Sequence, residues 1–301
     1  ELLASVRRDP AFGPVIALGA GGKLAALLGA PAVGLPPLNT RLCRDLLERT
    51  NAAPLLAADA SLPAADSGAL IKLLLRLSDL VCELPEIREL DINPLLVDAR
   101  GALVLDARIA VQSVSPSQRR YGHLAIAPYP KHLVQRVQLA DGTAITLRPI
   151  RPEDTQLEQD FVKNLSLETR RFRFMHALSR LTQEMLIRFT QLDYARELAI
   201  MASLPGPQGE QEIGVARYVA DGDGHGCEFA IVVADEWQKR GLASHLMRAL
   251  IAAAREQHFT QMHGDVLADN TRMLSWMVRL GFSVAADPED ATLRKVSLPL
   301  I

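Results

Sequence analysis

Between residues 228 and 254, an apolar strand runs into a basic glycine loop and then into an amphipathic helix. Apolar residues recur at helical spacing over residues 242–254, and residues 228–234 read as the strand. A glycine in the loop lets backbone N–H groups approach a ligand closely, because no Cβ intrudes. The helix N-terminus adds unpaired donors and a partial positive charge. The segment predicts a diphosphate cradle, with an ordinary basic loop as the alternative for this segment taken alone.

A second pattern follows, in which Asn270 opens a predicted helix that ends near Gly281-Phe282. The sequence Gln238-x-x-Gly241-x-Ala243 after an apolar strand resembles the acetyl-CoA motif of the GNAT acetyltransferase superfamily. Asn270 with Gly281-Phe282 resembles the second signature of that superfamily, in the expected order. The resemblance identifies residues 141–301 as a GNAT N-acetyltransferase domain that uses acetyl-CoA, and the alternation of strands and helices there is an α+β pattern.

The resemblance implies roles for particular residues, none of which involves a metal. Backbone groups of Ile231, Val232 and Val233 would pair with the pantetheine arm of acetyl-CoA, and a backbone N–H of Val232 or a neighbour would stabilise negative charge on the acyl oxygen. Asn270 would contact the cofactor near its thioester end, and it is also suited to cap its helix. The loop would hold the diphosphate through Gln238, Lys239, Arg240, Gly241, Leu242, Ala243 and Ser244.

Acetyl transfer to an amine also needs a proton acceptor, because a lysine amine with a reference pKa of about 10.4 is mostly protonated at neutral pH. The resemblance places that general base at Glu228, at the start of the strand, and the alternative is a surface glutamate at a strand edge. Many members of the superfamily carry a tyrosine general acid where this chain has Met277. We expect Met277 to pack in a helix, because a thiol with a reference pKa of about 8.5 leaves as thiolate without an acid.

The N-terminal half reads as an α/β unit over residues 1–112. An apolar run meets the glycine turn Gly19-Ala20-Gly21-Gly22, residues 70–81 form an amphipathic helix, and residues 95–105 form a hairpin. The glycine turn, with the segment Asp9–Pro14 and the sequence from Glu89 to Leu95, resembles the end of an ATP-grasp domain from ADP-forming acyl-CoA synthetases. The fold class expected for the whole chain is therefore a partial ATP-grasp-like α/β domain followed by a GNAT domain.

Three further segments resemble the large, multidomain bacterial protein lysine acetyltransferases, in which a GNAT domain follows such a synthetase-like region. They are residues 123–130, 147–154 and 170–174. The position where a working ATP-grasp enzyme carries a carboxylate after the glycine turn corresponds to Ala26. Asp91 and Asn93 alone are a poor Mg²⁺ site and hold a predicted Asx turn. We therefore expect residues 1–112 to be non-catalytic, residues 113–140 to be a linker, and the chain to be a piece of a longer protein.

Bulk composition narrows the possible partners. A formal net charge of −2 offers no electrostatic case for nucleic acid or a membrane surface. No apolar run is long enough for a membrane helix, and the three scattered cysteines fit a reducing cytoplasmic setting. The partner expected from the resemblance is a protein substrate with an acceptor lysine, and a homo-oligomer is left open.

Three functions remain possible from the sequence. The first is acetyl-CoA-dependent Nε-acetylation of lysine in metabolic enzymes such as acyl-CoA synthetases. The second is N-acetylation of a small molecule such as a polyamine or an aminoglycoside. The third is a non-catalytic module that senses acyl-CoA or a nucleotide, for which Met277 is the main support and Glu228 the main objection.

Overall fold

The computed structural model describes residues 1–22, 25, 29–58, 63–115, 119–175, 178–206 and 209–300. The chain forms two compact units, Glu1–Pro128 and Tyr129–Ile301, each with its own β-sheet. The predicted linker over residues 113–140 is therefore wrong in its second half, because residues 135–138 pair with residues 144–147 in the second sheet. That strand is short, polar and at a sheet edge, so it lacks the apolar alternation that predicts a strand.

The first unit is a six-stranded sheet in the order β3-β2-β1-β4-β5, with β6 paired to β4. Its helices α1 and α2 are amphipathic, and the predicted helix over 70–81 and hairpin over 95–105 are both confirmed. The predicted Asx turn at Asp91–Pro94 is wrong, because these residues continue β4 and pair with β1 and β6. The elements are β1 Leu2–Asp9, β2 Gly13–Ala20, β3 Ala32–Gly34, α1 Thr40–Arg49, α2 Ser67–Glu83, β4 Ile87–Asp98, β5 Gly101–Val104 and β6 Ala107–Val111.

The second unit is an eight-stranded sheet in the order β13-β14-β12-β11-β10-β9-β8-β7. The elements are β7 Gln135–Gln138, β8 Ala144–Pro149, α3 Thr155–Asn164, α4 Leu167–Phe174, α5 Gln183–Thr190, β9 Glu197–Gly206, β10 Gly209–Ala220, β11 Gly226–Val233, α6 Leu242–Glu256, β12 Gln261–Leu267, α7 Thr271–Arg279, β13 Ser283–Ala286 and β14 Leu293–Pro299.

Alternation along the strands gives the second sheet a core on each face. On one face α6 and α7 pack on Cys227, Phe229 and Met262. On the other face α3 and α5 pack on Val215 and Val232. Because successive strand residues point to opposite faces, Glu228 shares the second face with Val232.

Within the described residues, none of the helices combines the length and the apolar character needed to cross a membrane.

Candidate active site

A cleft opens in the middle of the second sheet, where two parallel strands part. Strands β11 and β12 pair only through Gly226↔Gln261, Cys227↔Met262 and Glu228↔His263. Beyond that point both strands continue without pairing to each other, and a cleft of about 900 Å³ lies between them. Its walls include residues 228–233 of β11, Asp265 and Val266 of β12, and the first turns of α6 and α7.

Strand alternation decides which backbone groups face this cleft. The carbonyl of Gly226 accepts a hydrogen bond from the backbone N–H of Asp221, on the β10 side. The carbonyl of His225 accepts one from the backbone N–H of Thr260, on the β12 side. Even-numbered residues of β11 therefore direct their N–H and C=O groups toward β10, and odd-numbered residues direct theirs toward the opening. Of the three strand residues predicted to bind the cofactor, Ile231 and Val233 present backbone groups to the cleft, whereas those of Val232 face β10.

The loop after β11 leaves a helix N-terminus open at one end of the cleft. Gly241 caps α6 in the left-handed conformation with a φ of 86°, and no side chain caps this helix. A Cβ at Gly241 would meet no atom within 4 Å, so the space beside its backbone is clear. The first N–H groups of α6, including those of Leu242 and Ala243, have no intrahelical partner. This arrangement suits a phosphate group.

Two cations flank this helix end. Lys239 is exposed and has a φ of 64°, so the chain turns sharply just before Gly241. The guanidinium of Arg240 lies 4.8 Å from the centre of the Trp237 ring and 3.3 Å from Asp141 Oδ2. Lys239 is thus the cation of the loop that lines the cleft, and Arg240 is held against the protein.

Gln238 holds the loop to three neighbouring elements. Its side-chain amide donates to the carbonyl of Val233 at 3.2 Å and to Thr169 of α4 at 3.3 Å, and its oxygen accepts from Arg272 of α7 at 3.0 Å. Asp235 makes a second connection to α4, because its carboxylate accepts hydrogen bonds from both the backbone N–H and the hydroxyl of Ser166, the N-cap of that helix. Through these hydrogen bonds Gln238 fixes the position of the loop at the wall of the cleft.

Helix α7 forms the opposite wall and begins at Asn270. The Asn270 Oδ1 accepts a hydrogen bond from Met273 N at 3.1 Å, so the residue is an N-cap and also lines the cleft. Met277 is fully buried in the core, as predicted for a packing residue. The indole of Trp276 donates to Ser244 Oγ at 3.4 Å and links the middle of α7 to the first turn of α6.

Glu228 is exposed at the point where the strands part, and a cation that the sequence did not single out lies near it. Arg173 of α4 lines the same cleft and lies over the ring of Phe174, 5.1 Å from its centre. Burial and the neighbouring charge of Arg217 lower the pKa of Arg173 to about 10, while the carboxylates of Glu158 and Glu228 oppose that shift. The sequence signal was present in the motif at 170–174, but its role was not apparent.

Behind the cleft floor lies a buried ionic cluster that the sequence also did not reveal. Arg217 of β10 donates to Glu158 of α3 at 3.2 Å, and its guanidinium lies 4.1 Å from the centre of the Phe189 ring. Neither carboxylate oxygen of the buried Glu212 has a hydrogen-bond partner among the described residues. Burial, and then the charge of Glu158, raise the pKa of Glu212 well above its ordinary value.

The motif at 147–154 is explained by a second buried network. Arg148 makes two 2.7 Å bonds to Asp154 and a further 2.7 Å bond to Glu210. Asp154 also accepts from the backbone of Arg151 at 2.7 Å, so the pair fixes the end of β8 to the start of α3. This motif stabilises the fold and contributes no residue to the cleft lining.

In the first unit, Asp91 and Asn93, which the sequence indicates to be a poor Mg²⁺ site, belong to the sheet. Ala26 lies outside the described residues. Asp91 and Asn93 are in β4, beside a cleft of about 510 Å³ that also includes Arg7. The Asn93 Oδ1 accepts a hydrogen bond from Gly22 N at 3.0 Å. Over the part of the chain that the structure describes, no group of three or more metal-ligating side chains comes together.

Comparison with known families assigns one family to each unit. Residues 1–111 match the ATP-grasp domain, and residues 162–282 match the Acetyltransferase (GNAT) family. Acetyltransferase PA5475 of Pseudomonas aeruginosa is 36% identical over 154 residues, which are 51% of this chain and 83% of that protein.

Two other relatives each match one half of this chain. Acetyltransferase Pat of Mycolicibacterium smegmatis is 31% identical over 166 residues, 54% of this chain and 48% of that protein. Subunit beta of the ADP-forming acetate–CoA ligase I of Pyrococcus furiosus is 30% identical over 109 residues, 36% of this chain and 47% of that protein. The chain spans about half the length of each of these two relatives.

Among solved structures, the GNAT domain of PAT from S. lividans is 26% identical and superimposes with a TM-score of 0.53, covering 57% of this chain and 99% of that domain. The chain therefore belongs to the GNAT acetyltransferase family, whose members use acetyl-CoA, and it carries an ATP-grasp domain ahead of its acetyltransferase domain.

Proposed function

We propose that this protein transfers the acetyl group of acetyl-CoA to the Nε amine of lysines in other proteins, with metabolic enzymes such as acyl-CoA synthetases as acceptors. The observation that carries the proposal is the open surface of the sheet beyond Glu228, where the strand order β11-β12-β14-β13 ends at an edge strand. All four residues of β13 are exposed, and Lys295 of β14 is exposed as well. A lysine on the surface of another protein can reach Glu228 across this open edge, whereas a small amine would need an enclosed site.

The residues around the cleft fit acetyl-CoA. The open N-terminus of α6 with Gly241 and Lys239 would hold the diphosphate. Backbone groups of Ile231 and Val233 would pair with the pantetheine arm. When bound, the cofactor supplies the acetyl group as a thioester. The loop residues Gln238, Leu242, Ala243 and Ser244, with Asn270, would complete the binding site, whereas Val232 directs its backbone toward β10 and Arg240 is held against Trp237 and Asp141.

Glu228 is proposed as the general base. Its carboxylate is exposed on the face of β11 that borders the cleft, at the last residue paired with β12. It would accept a proton from the acceptor amine, directly or through one water. The nearby cation Arg173 would favour the neutral, nucleophilic form of that amine, because a like charge disfavours the ammonium.

The acceptor class is tested by a panel of amines under one set of conditions. The protein is incubated with acetyl-CoA and, in separate reactions, an acyl-CoA synthetase, a polyamine and an aminoglycoside, and CoA release is measured. We expect CoA release and a single acetylated lysine, located by mass spectrometry, only with the protein acceptor. Changing that lysine to arginine in the acceptor is the matched control and should abolish the signal.

Faster acetylation of a free amine would replace the proposal with small-molecule N-acetylation. Tight acetyl-CoA binding without modification of any acceptor would instead favour a sensing module.

A further inference from the structure

Strand register places a histidine next to Glu228. Glu228 and His263 are Cα partners in the parallel β11–β12 pair, and registered residues in such a pair point to the same face. Their preceding neighbours, Cys227 and Met262, are fully buried in the core of the opposite face. Glu228 and His263 therefore stand side by side on the accessible face, where the strands part.

The imidazole of His263 is held by a carboxylate from a different part of the chain. His263 Nε2 lies 2.9 Å from Asp221 Oδ1, and both side chains remain partly exposed, at 39% and 34%. Asp221 follows β10, and its backbone N–H donates to the carbonyl of Gly226 at 3.0 Å. A Cβ at Gly226 would clash with the Asp221 carboxylate, so the glycine makes room for this side chain.

The other charges near this pair are already matched or more distant. Asp265, two residues along β12 on the same face, forms an ion pair with Lys295 of β14 at 3.2 Å. Ser297 of β14 is the register partner of His263 and carries no charge. Arg173 of α4 faces the cleft from the other side, and its electrostatic partner there is Glu228. Asp221 is thus the carboxylate paired with His263.

We propose that His263, oriented by Asp221, carries the proton that Glu228 accepts to the solvent, an inference that rests on the proposed role of Glu228 as the base. The proton leaves the acceptor nitrogen for the Glu228 carboxylate and passes to the unprotonated ring nitrogen of His263. With Nε2–H donating to Asp221, that nitrogen is Nδ1. The imidazolium is paired with Asp221 until it gives the proton to water, which restores both groups.

The direction of transfer follows from ordinary side-chain chemistry. An imidazole has a reference pKa of about 6.5 and a glutamate carboxyl one of about 4.3, so the ring is the stronger base. A carboxylate partner fixes the tautomer and orientation of a histidine in this way in many sites. Glu228 would therefore return to its ionised form by giving its proton to His263, and His263 would then release the proton to water.

The test compares His263→Gln with His225→Gln, which changes an exposed histidine of the 221–226 turn and leaves the cleft untouched. At saturating acetyl-CoA and protein acceptor, we expect His263→Gln to lower kcat by roughly 10-fold, less than the 10²–10⁴-fold typical of a general base. The KM for acetyl-CoA should not change. Adding imidazole to the solution should restore much of the lost rate, and His225→Gln should behave as wild type.

Asp221→Asn supplies a second readout, because an amide oxygen can still accept the hydrogen bond but carries no charge. The acid limb of the kcat–pH profile should move to lower pH, since the imidazolium loses its ionic partner. A wild-type kcat for His263→Gln, or a loss that imidazole does not relieve with an unchanged pH profile, overturns the relay.

Failure of the base assignment and failure of the relay give different results. If Glu228→Gln retains the wild-type rate, the base is wrong whatever His263 does. If Glu228→Gln loses the rate and His263→Gln does not, only the relay is wrong.

Discussion

The two units differ at one helix start and at one strand pair. In the first unit the described helices α1 and α2 begin at a capping side chain, since Asn39 accepts from α1 and Asp66 accepts from α2. In the second unit α4, α5 and α7 are capped in the same way, but α6 begins at Gly241 without a side-chain cap. Strands β1 and β2 pair through eight consecutive residues, whereas β11 and β12 part after three.

The two units also differ in the polar residues that they bury. The buried polar residues described in the first unit are hydroxyl groups and one histidine: Ser5, Thr50, Ser78 and His123. Those of the second unit include five charged side chains: Arg148, Asp154, Glu158, Glu212 and Arg217. In the second unit, the uncapped N-terminus of α6 and the unpaired part of β11 leave backbone groups that a ligand can bind.

The largest expected effect comes from breaking the buried ion pair of the second unit. Arg217→Met keeps most of the side-chain stem but leaves the Glu158 carboxylate, which is 3% exposed, without its cation. Breaking a buried pair typically costs about 3–5 kcal/mol, because an uncompensated charge stays buried. Urea unfolding followed by tryptophan fluorescence reports this unit alone, because both tryptophans, Trp237 and Trp276, lie in it.

The matched control for that measurement is Arg171→Met. Arg171 pairs with Asp269 at 2.8 Å, but both side chains are about half exposed. An exposed pair is worth at most about 1 kcal/mol. Equal losses for the two variants would show that burial of the Arg217 pair is not what distinguishes this core.

The next largest effect concerns the candidate base. Glu228→Gln keeps the size and hydrogen bonding of the side chain but cannot accept the proton, so acetylation at neutral pH should fall by at least about 10²-fold. Part of the rate should return as pH rises, because more of the acceptor amine is then neutral. A pH–rate series with acetyl-CoA binding measured in parallel checks this, and Glu236→Gln, an exposed glutamate, is the control.

Little change in the acetyl-CoA dissociation constant is expected for Glu228→Gln, because the proposed contacts of the cofactor are with the backbone and the loop. A rate loss explained wholly by weaker binding would make Glu228 a cofactor-site residue.

A smaller effect is expected at the open helix end. Gly241→Asp places a negative charge where the helix dipole would meet the diphosphate, and it also strains the positive φ. Up to about 2 kcal/mol of dipole interaction is at stake, so acetyl-CoA affinity should fall by roughly 10-fold or more. Calorimetric titration measures this, and Gly224→Asp is the control, with a φ of 71° and equally open space. Comparable binding in both variants would remove the loop from the site.

The sign of pH-dependent stability should separate two glutamates of the second unit. The folded pKa of Glu212 is raised, so its stabilising contribution is complete below the unfolded pKa and is lost as pH rises through the folded value. Glu212→Gln should therefore gain stability relative to wild type as the pH rises above the unfolded pKa of a glutamate, and should match wild type below it. Thermal unfolding over a range of pH tests this.

Glu210 should behave in the opposite way. The hydrogen bond from Arg148 lowers its pKa, so its contribution is present above the unfolded pKa and is lost as pH falls through the folded value. Glu210→Gln should lose stability at neutral pH and match wild type in acid. The same pH trend for both variants would contradict this account of the two carboxyls.

No effect at all is expected from the first unit in a synthetase assay. With ATP, Mg²⁺, CoA and acetate, the protein should release no ADP, because Asn93 Oδ1 accepts a hydrogen bond from Gly22 N and the resemblance implies Ala26 where a working enzyme has a carboxylate. Formation of acetyl-CoA with release of ADP would show that the first unit is catalytic and would contradict this prediction.

Local patterns in the sequence determined much of this protein. The apolar stripe of α6, the glycine before it and the cap at Asn270 were all recognisable, because helix periodicity and capping act over only a few residues. The acetyltransferase fold was indicated by the resemblance of the two motifs, in their order, to those of the superfamily. The polar edge strand at 135–138 was missed because it has no such local pattern.

Only the tertiary structure decided which distant side chains meet. Arg217 and Glu158 are 59 residues apart, and His263 and Asp221 are 42 residues apart. The parting of β11 and β12 and the direction of each backbone N–H depend on strand register, which no single segment carries. Register is set by how whole strands and helices bury their apolar faces together, so these contacts exist only once the chain has folded.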